Sequence, residues 1–144
     1  AATVAQFISP DELIFRAVQG TDRHPFYYNR VSGELRNLAD RAGSYWNVVP
    51  TNSSRRLVFM YTSFSDPPEV YSVGWDGRAL ARLTWQNEEL RLEAALRHDP
   101  VSVQLPGGAR RVGVLIQPAA APFPPRDARI VVWQEGGPGP AMLN

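Results

Sequence analysis

The chain has 144 residues, 44% of them hydrophobic, and a net charge of +1, which fits one ordinary folded domain and excludes disorder. No apolar run nears the roughly 18 residues a membrane span needs, and the charge gives no reason to expect nucleic acid or an anionic membrane as partner. Cysteine is absent, ruling out disulfides and thiol chemistry, and all fifteen basic residues are arginine, which reads as a coding bias because no spacing turns them into a site.

The opening Ala1-Ala2-Thr3-Val4 has neither a charged n-region nor a long apolar h-region. Further along, Leu13-Ile14-Phe15 is echoed 44 residues later by Leu57-Val58-Phe59. At the same shift Phe26-Tyr27 meets Val70-Tyr71, and Ser32-Gly33 meets Asp76-Gly77; one residue of slippage brings Leu38 over Leu83. A period of about 40 to 50 residues marks a propeller blade or a related array. Within each repeat the runs Leu13 to Val18, Phe26 to Val31, Leu57 to Thr62 and Val70 to Trp75 read as strands. Ser32-Gly33 and Asp76-Gly77 are hairpin signals, and Pro25 and Pro67-Pro68 stand where a missing N–H does least harm. The alternative, that two hairpins resemble each other merely because hairpins do, accounts poorly for several matches at one shift. Two blades do not close a ring, so the chain is expected either to be cut from something larger or to be completed by another chain, with self-association through open strand edges.

Around Asn87 to Arg97 the pattern fits neither the helical nor the strand period cleanly. Val101, Val103 and Leu105 then alternate with polar residues, Gly107-Gly108 turns the chain, and Val112, Val114 and Ile116 alternate back, which predicts a hairpin with one buried face. Pro118 to Pro125 reads as a stiff surface loop. Ile130-Val131-Val132-Trp133 is apolar without alternation, as in a strand covered on both sides, and runs into Gln134-Glu135-Gly136-Gly137-Pro138-Gly139-Pro140.

In their order these pieces resemble the prolyl oligopeptidase family of serine peptidases, which includes acylaminoacyl and dipeptidyl peptidases. Val70-Tyr71 to Gly77 with Leu83-Thr84 resembles the family's last blade hairpin, Gly108 to Pro118 its junction, and Ile130 to Pro138 the strand that ends in Gly-Gly-Pro. The fold so implied is mainly β: about two β-propeller blades over residues 1–97, then the junction and first strands of an α/β-hydrolase domain over 98–144. The resemblance implies a peptide substrate, a propeller that restricts access to it, and a Ser-Asp-His triad.

No G-x-S-x-G occurs, so no catalytic residue is carried over, and this chain alone is expected to hydrolyse nothing. His24, at a blade turn, and His98, at the junction, read as structural or exposed. The glycine-rich turn Glu135, Gly136, Gly137 matches the family's oxyanion-hole region. Many members carry histidine or tyrosine where Glu135 stands, and an ionised carboxylate only accepts hydrogen bonds. Either the Gly136 or Gly137 N–H serves alone, or Glu135 turns away, or it binds a cation such as a peptide amino terminus. That departure keeps an inactive hydrolase relative in view.

Glu88-Glu89 reads as a solvated acidic pair, Arg55-Arg56 and Arg110-Arg111 as solubilising or edge-protecting charges, and the tryptophans as packing residues rather than a sugar platform. No metal-ligand spacing and no cofactor motif is present. The competing reading is a non-catalytic β-repeat module that binds protein or sugar.

Overall fold

Alternation at period two, broken by glycine and proline, gives strands, and strands account for nearly all the regular structure. A computed structural model describes residues 5–90, 96–127 and 129–132. Eight strands form one sheet: β1 (Gln6–Phe7), β2 (Glu12–Gln19), β3 (Asp22–Asn29), β4 (Leu35–Asn37), β5 (Ser44–Thr51), β6 (Arg56–Thr62), β7 (Glu69–Gly74) and β8 (Ala81–Arg82). After a single 3-10 turn at Glu88–Leu90, β9 (Leu96–Gln104) and β10 (Arg110–Pro118) form a separate two-stranded sheet.

The repeat is visible in the topology. Strands β1 to β4 make one antiparallel meander and β5 to β8 another, joined by one parallel bridge between Arg23 and Ser44. Leu13 to Phe15 and Leu57 to Phe59 fall on the second strand of each meander, and Tyr27 and Tyr71 on the third. Gly33 and Gly77 take φ of 71° and 77° in the following turns, a conformation cheap only without a Cβ. Leu38 and Leu83 hold equivalent places, Leu38 N–H donating to Pro25 O and Leu83 N–H to Val70 O.

The core lies between the meanders. In an antiparallel ladder, partners share a face. Leu57, Phe59 and Tyr61 therefore stand with Val73, Tyr71 and Glu69 across β6 and β7. Tyr45 packs on Phe59 and Tyr61, each at 5.1 Å between ring centroids. Burial pushes the Tyr61 hydroxyl up to about 12, and it stays a donor, to Ala42 O at 2.6 Å. Ile14, Tyr27 and Leu38 supply the facing side. Leu38 is 1% exposed beneath the second meander, whereas its counterpart Leu83 is 46% exposed.

Three expectations change. The hairpin forms, but its register sets Val101 and Val103 opposite Gly113 and Arg111, and Val112, Val114 and Ile116 opposite Ser102, Pro100 and His98. The two apolar rows thus lie on opposite faces, and Val103, Val112 and Ile116 are exposed. Ile130, Val131 and Val132 belong to no strand and are exposed, Val131 by 89%. A strand covered on both sides needs flanking strands and two packed layers, and no described residue supplies them here. Finally, His24 is buried within β3 rather than at a turn, its Nδ1 2.9 Å from Ala39 O. His98, by contrast, is exposed on β9 against the Phe64 ring.

Candidate functional site

The turn region predicted to form an oxyanion hole, Glu135, Gly136 and Gly137, lies outside the described residues. Among the described residues, a cleft of about 400 Å³ between the two meanders gathers several charged groups. Its floor is the buried rings of Tyr27 from β3 and Trp75 from the end of β7. Its walls carry Arg36 from β4, Arg55 and Arg56 from the start of β6, and Arg78 from the β7–β8 turn.

Local structure aims these groups. The Trp75 indole is fixed by its Nε1–H donating to Arg56 O at 3.0 Å, and its own N–H donates to Arg55 O at 3.0 Å. Arg55 takes φ of 48° and Ala79 φ of 55°, left-handed conformations that cost a side-chain-bearing residue on the order of 1 kcal/mol. The Arg55 guanidinium then lies 4.8 Å over the Trp75 ring, and that of Arg36 lies 5.1 Å from the Tyr27 ring centre.

Several of the cleft's charges are already engaged. Arg36 donates to Glu34 and, at 3.0 Å, to Trp75 O; its bond to Glu34 raises its pKa above the usual arginine value. Arg56 donates to Ser72 Oγ at 2.8 Å and to Ala79 O at 2.7 Å. The Tyr27 hydroxyl donates to Glu12 at 2.5 Å, and that bond, with one from Ser9, holds the Glu12 carboxyl below its ordinary range and raises Tyr27. Asp76 accepts the Arg78 backbone N–H at 2.9 Å. Arg55 and Arg78 have no hydrogen-bond acceptor for their guanidinium groups among the described residues. Arg55-Arg56 is therefore a lining pair, not edge protection.

Two further clusters are structural in character. Glu69, only 4% exposed, would be raised by its burial, but the Thr84 hydroxyl, the Asn87 and Gln86 N–H groups and the Arg82 guanidinium together bring it down to about 2. Arg82 also pairs with Glu88 at 2.7 Å, so one of the two adjacent glutamates is tied to the sheet. At the seam between the meanders, Arg23 is 3% exposed with its Nη1 unpartnered among the described residues, and its guanidinium lies 4.4 Å from the Trp46 ring. Arg16 stands 5.0 Å from the same ring, and burial lowers the pKa of both arginines.

The fold is similar to parts of two solved peptidases. One is the AtxE2 isopeptidase in its apo form, with a TM-score of 0.65 and 13% identity over 81% of this chain and 18% of that one. The other is the acylaminoacyl peptidase of Pyrococcus horikoshii, with a TM-score of 0.61 and 17% identity over 80% of this chain and 17% of that one. The chain thus spans less than a fifth of either. No protein-family model matches it, and no curated protein does.

Proposed function

We propose that this chain is a non-catalytic segment of a serine peptidase of the prolyl oligopeptidase family. Residues 1–97 would supply two blades of a propeller that gates access of oligopeptides or peptide N-termini, and residues 98–144 would lead into the α/β-hydrolase domain. The observation that carries the reading is the pairing of two four-stranded meanders in a fold shared with two peptidases. The exposed run Ile130 to Val132 supports the reading, since three adjacent exposed apolar side chains favour a covering surface.

In that protein Glu135 would border the oxyanion hole without donating to it. Glu135→Ala there is expected to leave turnover within about tenfold, against the 10²-fold or greater loss that removal of a true donor brings.

The intact mass of the native gene product, before and after a fluorophosphonate that labels activated serines, tests the whole reading. A mass several times 16.0 kDa that rises by one adduct is expected. A large mass without adduct would make the protein an inactive relative. A native mass near 16.0 kDa without label would leave a β-repeat binding module.

A further inference from the structure

We propose that the cleft over Trp75 is a carboxylate-binding site, and that it holds the carboxylate of a peptide through Arg55 and Arg78. The choice of a peptide as bearer rests on the peptidase reading; the choice of a carboxylate rests on the cleft itself.

The charges decide the ligand. Arg36, Arg55, Arg56 and Arg78 line the cavity, and Asp76 is the acid among its lining residues. The nearby carboxylates have partners of their own: Glu12 takes the Tyr27 and Ser9 hydroxyls and also feels the Arg55 charge, Glu34 takes Arg36, and Asp76 takes the Arg78 backbone N–H and faces Arg36. Arg36 and Arg56 are likewise spent on protein acceptors. What remains is the guanidinium groups of Arg55 and Arg78, without hydrogen-bond acceptors among the described residues, on the exposed rim of a cleft floored by a buried indole, with the Glu12 carboxylate only partly offsetting the charge of Arg55. A guanidinium offers a planar fork of donors that fits a carboxylate. The ring beneath Arg55 limits its freedom and so lowers the entropy lost on binding.

The backbone points the same way. Two residues that bear a Cβ, Arg55 and Ala79, hold left-handed conformations at this cleft. Glycine would relieve that strain at position 55, yet an arginine stands there.

Side-chain Nε–Hε signals of the arginines in the 144-residue chain, followed by NMR, report binding residue by residue. Three probes separate the sources: an N-acetylated Ala-Ala-Phe with a free carboxyl terminus, the same peptide as its C-terminal amide, and a doubly blocked Ala-Glu-Ala. The first or the third is expected to shift the Arg55 and Arg78 signals saturably, the first assigning a peptide terminus and the third an acidic side chain. The blocked amide of the first is expected to bind about tenfold more weakly or worse. Arg55→Gly should abolish the shifts at Arg78 while keeping or raising the melting temperature, because φ at 55 favours glycine. Arg78→Gln, at an exposed position, should weaken binding by a similar factor.

Equal binding of the amide, no shift with either carboxylate, or inorganic phosphate binding as tightly as the peptides would overturn the proposal. The peptidase reading fails separately: carboxylate binding with no fluorophosphonate adduct in the native protein breaks that reading alone, and an adduct with no carboxylate binding breaks this one alone.

Discussion

The row Leu57, Phe59, Tyr61 on β6 and the row Val112, Val114, Ile116 on β10 follow the same alternation in the sequence, yet the first is sealed and two of the three residues in the second lie open to solvent. Both strands have complete antiparallel ladders. What separates them is a second layer. Leu57, Phe59 and Tyr61 join one buried cluster with Tyr45 and Tyr71 and with Ile14, Tyr27 and Leu38 of the first meander, whereas the β9–β10 hairpin spreads its apolar residues over two faces. Alternation marks a strand, and burial needs a partner surface that alternation does not specify.

The largest effect that would sharpen this contrast is Phe59→Ala. Loss of a ring buried among Tyr45 and Tyr71 should cost about 3–5 kcal/mol, read as a fall in the urea midpoint of the circular dichroism signal. A loss below about 1 kcal/mol would mean that the meanders are not packed as described.

Acid comes next. Glu69 has a folded-state pKa of about 2 against an ordinary 4.5, so its contribution is fully present above pH 4.5 and is lost as the pH falls towards 2. Urea midpoints should therefore drop between pH 6 and pH 3 in the parent chain. In Glu69→Gln they should be lower at pH 6 and drop less. An equal drop in both would remove Glu69 as the source.

At the seam, Arg23→Met should stabilise the chain by about 1 kcal/mol. Relief of an unpartnered buried donor outweighs the lost contact with the Trp46 ring. Destabilisation by a similar amount would show that Nη1 has an acceptor after all. The smallest effect belongs to the hairpin: Val112→Thr, exposed on β10, should stay within about 0.5 kcal/mol, and a larger loss would place a covering surface over it.

The strands of the repeat were legible because four of them carry long β-branched or aromatic runs. Strand β5 was not, since Asn47 at φ 48°, Pro50 and the bulge between Trp46 and Val49 break its alternation. The hairpin's existence was legible and its facing was not. The five residues 105–109 between Gln104 and Arg110 set the register, and a turn one residue longer or shorter would have put both valine rows on one side. The cleft was hidden for a different reason. Arg36, Arg55 and Arg78 come from three separate turns or strands of two meanders, and only the packing of one meander on the other brings them together. Tyr27 and Tyr71, matched in the repeat, hinted that the third strands carry buried rings. Nothing in the spacing of the arginines pointed to a common cavity.

The joint between the meanders has a consequence for how such chains drift apart. Across it the backbone makes one bridge, Arg23 to Ser44, with the Arg23 N–H donating to Gly43 O at 3.0 Å; side chains do the rest. A backbone ladder keeps its spacing whatever residues ride on it, whereas a seam of side chains shifts with every change of volume. Divergence should accumulate as tilt between the units rather than distortion within them. Each meander superposed singly on its counterpart in the two peptidases should then fit more closely than the pair together.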